Sequence, residues 1–221
     1  MRRVRRFFVR AVVIVLASIL LLLLALRFAD PRITLYMYAE DRRLGGIDKQ
    51  WVPLDEMAPV MARSAAAAED ANFCNHWGFD MAAIRAAIED GANRGASTIT
   101  QQTVKNLLLW HGRSWTRKAL EALLTPTLEL MWPKRRIMEV YLNIIEFDEG
   151  VFGVDAAAHH YFRVGADKLT PLQAARLAAV LPNPKGRNAA KPTAYLKRRT
   201  VAIMDGAATL RADGRAACFG G

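Results

Sequence analysis

The sequence predicts a mainly α globule preceded by one transmembrane helix, and three observations carry that prediction. Residues 11–26 are apolar throughout except for Ser18. Beyond residue 55, apolar residues recur at helical spacing between capping side chains and helix-starting prolines. No internal repeat and no series of alternating strands interrupts that pattern. With 221 residues, 52% of them apolar and 24% charged, the chain has enough material to bury a core in one domain or at most two.

The elements follow in order. Residues 1–10 form a basic tail in which Arg2, Arg3, Arg5, Arg6 and Arg10 supply half of the net charge of +10. Residues 11–28 read as a transmembrane helix, because about 20 apolar residues at ~1.5 Å each cross ~30 Å of hydrocarbon. Arg10 can snorkel to the headgroups. A cleaved signal peptide is the competing reading, but the apolar run exceeds the usual ~7 to 15 residues and Ala25-Leu26-Arg27 is a poor cleavage site. The arginines place the tail in the cytoplasm and everything after Asp30 across the membrane.

Residues 29–54 are a juxtamembrane segment, with a short strand expected over 33–38 and a loop over 42–50. Residues 55–221 form the globular domain. Asp55 is expected to cap a helix through residues 61–70, and Asp80 one that breaks at Gly91. Ser97 should cap a helix to Leu109, and Ser114 one that reaches about Trp132. Pro133 and Pro171 each sit where helices begin, residues 182–192 form a loop, and a last helix covers 193–210. Cys74 and Cys218 cannot form a disulfide framework, and the spacing leaves a single bridge open.

Three polar clusters break the amphipathic pattern. In the first, residues 69–80, Glu69 and Asp70 end an alanine-rich helix, where carboxylates face the negative end of the macrodipole at a cost of about 0.3–1 kcal/mol; such a placement points to a role beyond stability. In the second, residues 95–106, Ser97, Gln101 and Lys105 recur every four residues, so one helix face carries hydroxyl, amide and ammonium groups that can hold a phosphate-rich ligand. In the third, Arg113, Arg117 and Glu121 share a face. As a surface pair, Arg117 with Glu121 is worth only about 0.2–0.5 kcal/mol, whereas as a cationic patch the group can bind a pyrophosphate directly or through a divalent ion. His76, His111, His159 and His160 show no metal-ligand spacing and read as structural. There is no Walker loop, no G-x-S-x-G elbow, no S-x-x-K beside an S-D-N, and no nucleic-acid-reading motif.

Taken in order, EDANFCNHWGFD, GASTITQQTVKNL, RKALE and KRRIMEVYLN, followed by EGVFGVDAAAHHYF and LTPLQAARLAAVLPNP, resemble the motifs of the peptidoglycan glycosyltransferase family. That family includes the amino-terminal domain of class A penicillin-binding proteins and stand-alone monofunctional transglycosylases. Because no transpeptidase motif is present before Gly221, the chain resembles the monofunctional type. Departures are Gly95-Ala96-Ser97 in place of Gly-Gly-Ser, Pro126 within the helix after RKALE, and Gln173 where glutamate is common.

The resemblance implies a lysozyme-like, two-lobed glycosyltransferase domain in the bacterial inner membrane with its catalytic part in the periplasm. It implies polymerisation of lipid II, a disaccharide-pentapeptide on undecaprenyl pyrophosphate, into β-1,4-linked glycan. Glu69 would be the general base on the acceptor 4-hydroxyl, and Ser97, Gln101 and Gln102 would position the donor. Lys105, Arg113 and Arg117 would neutralise the leaving pyrophosphate, and Glu121 would orient them or help hold a divalent cation, Mg or Mn. No cofactor is otherwise required. A glutamate near its ordinary pKa of ~4.3 would suffice as base. The partners expected are lipid II, the growing glycan strand, the membrane and proteins of division or elongation, with no nucleic acid. A hydrolase on the same kind of fold, or an inactive scaffold, is the alternative.

Overall fold

The computed structural model describes residues 2–91, 95–112 and 114–220. They fall into two compact units, residues 1–32 and 33–221, so the juxtamembrane residues from Ile33 onward belong to the globule. The first unit holds α1 (Arg2–Leu26), the one helix among the described residues that is long and apolar enough to cross a membrane. The basic tail is thus the first turns of that helix, and the helix ends two residues before the expected limit at Phe28.

In the second unit, the strand expected over 33–38 is a helix, α2 (Leu35–Leu44). Thr34 accepts a hydrogen bond from the Met37 N–H at 3.2 Å, and Gly45 stops the helix with φ 75°. Local caps outweighed the strand preference of the aromatic run, and the expected loop at 42 begins only after Leu44. Asp55 sits in a 3-10 turn and caps nothing; α3 (Pro59–Glu69) starts instead on Pro59. Asp80 caps α4 (Met81–Glu89) by accepting from the Ala83 N–H at 2.9 Å, and Gly91 follows at φ 72°. Thr98, one residue after Ser97, caps α5 (Ile99–Leu108).

Ser114 caps α6 (Trp115–Met131), which continues through Pro126 although proline lacks the N–H that would bond the Ala122 carbonyl. Pro133 precedes α7 (Lys134–Ile144). Then come β2 (Glu146–Asp148), β3 (Val151–Phe152), α8 (Val154–Phe162), α9 (Pro171–Val180) and α10 (Ala194–Ala212). With β1 (Asp48–Lys49) the strands make a small sheet of order β1-β3-β2, β3 parallel to β1 and antiparallel to β2. Strands of two or three residues are too short to show alternation, which is why the sequence pattern misses them.

Two helix groups build the core. In one, α3, α9 and α10 pack together through small side chains: Ala62, Ala65 and Ala66 of α3 and Ala174, Ala175, Ala178 and Ala179 of α9 are buried. Close approach is enforced where a side chain on Gly206 would lie 3.1 Å from Ala67. In the other, α5 packs between α6 and α7. Here Thr100 donates to Glu129 at 2.6 Å, and Lys134 pairs with the same carboxylate at 2.7 Å.

Cys74, just beyond α3, and Cys218, beyond α10, form a disulfide with Cα atoms 5.6 Å apart and a sequence separation of 144. Closing so long a loop restricts the unfolded chain, so Cys74→Ser is expected to lower stability by about 2–5 kcal/mol. Thermal unfolding in the absence of reductant checks this; an unchanged midpoint would contradict it.

Candidate functional site

The site forms where the last residue of α3 meets the first turns of α5. Asp70 welds that junction. Its Oδ1 is bonded to His76 Nε2 at 2.8 Å, and its Oδ2 accepts from the Ile99 N–H at 3.0 Å, at the positive end of α5. The unfavourable dipole read from the sequence therefore does not apply to Asp70, which serves a second helix. His76 is structural, as expected.

The weld fixes Glu69 against α5. Its Oε2 accepts from Gln102 Nε2 at 2.9 Å, and its Oε1 lies 3.6 Å from Arg199 Nη2 of α10. Arg199 is itself held by the Ala68 carbonyl at 3.2 Å, and Gln102 Oε1 receives the buried Tyr141 hydroxyl at 3.4 Å. Glu69 is largely buried, with 11% of its side chain exposed. Desolvation pushes its pKa above the ordinary glutamate value, against the Gln102 hydrogen bond and the charges of Arg199, Arg187 and Lys105. The sequence required no shift for Glu69 to act as base; burial nonetheless supplies one, upward.

One turn further along α5 is Lys105, whose side chain makes no hydrogen bond or ion pair among the described residues. Burial, with Arg117 and Lys118 nearby, lowers its pKa, while Glu121 and Glu69 oppose that fall. Gln102, Lys105 and Asn106 line a cavity of about 290 Å³, closed opposite by Tyr36 and by Asn183 and Lys185 of the loop after α9. The polar face of α5 is thus 102, 105 and 106. Gln101 does not share it: Gln101 is buried, and its Oε1 accepts from the Thr98 N–H at 3.0 Å in a capping box. The four-residue spacing gave the wrong stripe because the cap sits at Thr98 and Gln101 takes its N3 position. Gln173, one of the three departures noted in sequence, closes an equivalent box with Thr170.

Glu121 is 3% exposed and carries two cations. Arg117 Nη1 reaches it at 2.7 Å, and Lys118 Nζ bonds the other oxygen. Arg117 Nε also donates to the Gly112 carbonyl at 3.0 Å, and Lys118 Nζ to Ser97 Oγ at 3.2 Å. The weak surface pair read from spacing is therefore a buried, charge-assisted clamp. Lys118 was missed as a site residue; its position three before Glu121 was the available signal. Ser97 lines a second cavity, of about 260 Å³, beside Glu69 and Asn72. Arg113 lies outside the described residues. His111, read as structural, stacks on Tyr36 with ring centroids 3.4 Å apart and lines the Lys105 cavity.

A resident divalent cation is not favoured by these donors. Both Glu121 oxygens already hold cations, and no cluster of three or more His, Cys, Asp or Glu side chains suited to a metal occurs among the described residues. An unpaired ammonium beside a fixed guanidinium and a second ammonium suits phosphate oxygens instead.

A transglycosylase family model matches residues 40–208. A biosynthetic peptidoglycan transglycosylase of Jannaschia sp. is 59% identical over 215 residues, covering 97% of this chain and 90% of the relative. Proteins of the same name from Caulobacter vibrioides and Ectopseudomonas mendocina are 44% and 49% identical, over 98% and 83% of this chain and 96% and 80% of their own.

Proposed function

Because the chain belongs to the transglycosylase family, we propose that it polymerises lipid II into β-1,4-linked glycan, with release of undecaprenyl pyrophosphate. The observation that carries this reading is Glu69, desolvated and bonded to Gln102 of α5, the helix that presents Lys105 one turn on with no side-chain partner among the described residues. Glu69 takes the proton from the acceptor 4-hydroxyl as that oxygen forms a bond to C1 of the donor sugar. The C1–O bond to the pyrophosphate breaks on the opposite face, so the α-linked donor becomes a β-linkage in one displacement. A pyrophosphate leaves as an anion and needs charge stabilisation more than a proton. Lys105, Arg117 and Lys118 supply it, with Glu121 holding the last two in place and Ser97 and Gln102 positioning the sugars. Arg113 is assigned to the same cationic group. Any Mg or Mn would arrive on the substrate's phosphates.

The helix α1 anchors the enzyme in the membrane that holds its substrates, which raises their effective concentration. The basic side chains at its start orient the catalytic unit to the periplasmic side, where division or elongation proteins are the expected partners.

The reading is tested with purified protein and labelled lipid II, followed by lysozyme digestion of the product. Polymer cut by lysozyme is expected; absence of polymer overturns it. Lys105→Ala separates a polymerase from a hydrolase, which has no pyrophosphate to neutralise. A loss of about 10²–10³-fold in polymerisation is expected, and a rate close to wild type would leave the cation without its assigned task.

The pH dependence has a definite sign. The base works ionised, and burial raises the Glu69 pKa, so activity should fall on acidification at a pH above the ordinary glutamate range. A kcat/KM profile whose acid limb lies at or below ~4.3 would contradict this.

A further inference from the structure

At the end of the α3, α9 and α10 group remote from Glu69, a cavity of about 470 Å³ has a floor of Val60, Met204, Ala207 and Ala208. Two guanidinium groups, Arg63 of α3 and Arg211 of α10, flank it, and no acidic side chain lines it. Neither arginine makes a hydrogen bond or ion pair among the described residues, and each lies close enough to the other for Arg211 to oppose the charge of Arg63. The negative end of α10 favours Arg211 by about 0.3–1 kcal/mol, but nothing in the fold compensates Arg63 facing it. Two unpaired forks above a floor of small apolar side chains are complementary to one carboxylate carried on methyl-sized groups.

The helices set the distance to the catalytic end. Along α3, Arg63 lies six residues before Glu69, about 9 Å at ~1.5 Å per residue, and along α10 Arg211 lies twelve residues after Arg199, about 18 Å, with the Arg199 side chain reaching Glu69. A five-residue peptide reaches at most about 17–18 Å when extended. We propose that Arg63 and Arg211 bind the terminal carboxylate of the pentapeptide stem on a substrate whose sugar lies at Glu69. The proposal rests on the lipid II reading.

The probe is N-acetyl-D-alanyl-D-alanine, titrated against the full chain in detergent. It should bind about tenfold more tightly than its carboxamide, and Arg63→Ala or Arg211→Ala should each weaken it by about tenfold. Arg63→Lys, which keeps the charge but loses the fork, should weaken it less. In polymerisation, lipid II with the last two stem residues removed should show a KM about tenfold higher with kcat unchanged, and the Arg63→Ala enzyme should no longer tell the two substrates apart.

Equal binding of acid and amide overturns the proposal. So does preference for the L,L-dipeptide, which would mark the end of a partner protein, or a response only to inorganic phosphate or to phosphatidylglycerol vesicles. Wild-type enzyme that polymerises both forms of lipid II with equal KM also sinks the stem site while leaving the polymerase reading intact. An enzyme that polymerises neither removes the polymerase reading and the stem site with it.

Discussion

Glu69→Gln is expected to reduce lipid II polymerisation by about 10²–10⁴-fold while making the folded protein more stable. The two effects share one cause. Gln102 and Arg199 hold the Glu69 side chain in a largely desolvated junction, and the net result is a raised pKa. A carboxyl group that binds its proton more tightly when folded contributes stability below its unfolded pKa of ~4.3 and loses that contribution as pH rises through the folded value. At neutral pH the ionised form therefore opposes folding, and the uncharged glutamine relieves that opposition. Steady-state rates together with the thermal midpoint at pH 7 check it. Retained turnover would remove Glu69 as the base, and a lower midpoint would show that Arg199 gains more from the carboxylate than desolvation takes away.

Glu121→Leu is expected to act in the opposite sense on stability, with loss of about 3–5 kcal/mol. It leaves Arg117 and Lys118 facing each other without the buried carboxylate that both now touch. Glu121→Gln keeps the volume and one acceptor and should unfold less readily. Its polymerisation should still fall, because the cations are no longer held where phosphate charge develops. Chemical denaturation of the pair, read beside activity, tests this. A Gln variant of full activity would reduce Glu121 to a structural ion pair.

Much of this was legible in the sequence, and the misses have physical reasons. Asp80 and Ser114 announced their helices because each side chain meets a local N–H, and Pro171 announced α9 by its place at the first helical position. Ser97 and Thr98 compete for one cap, and only burial of Thr98, whose hydroxyl donates to the Gly78 carbonyl at 2.7 Å, decides between them. That single shift moved Gln101 from the ligand face to the cap and left Gln102 facing Glu69. Lys118, despite its i, i+3 spacing to Glu121, and Arg199 were missed for another reason. Lys118 gains its role from the burial of Glu121, and Arg199 comes from a helix 130 residues after Glu69; local pattern encodes neither burial nor long-range pairing. Asp70 shows the converse: a residue flagged as costly on its own helix is favourable once the start of α5 is placed against it.

The covalent link from Cys74 to Cys218 ties the segment just beyond Glu69 to a residue 144 positions later in the chain. Cytosolic thiols remain reduced, whereas exported compartments oxidise them. A chain still on the inner side of its membrane would thus carry that junction without this restraint, and would gain it only after Cys218 had crossed. On the periplasmic orientation proposed above, acquisition of full rigidity would then be timed to translocation.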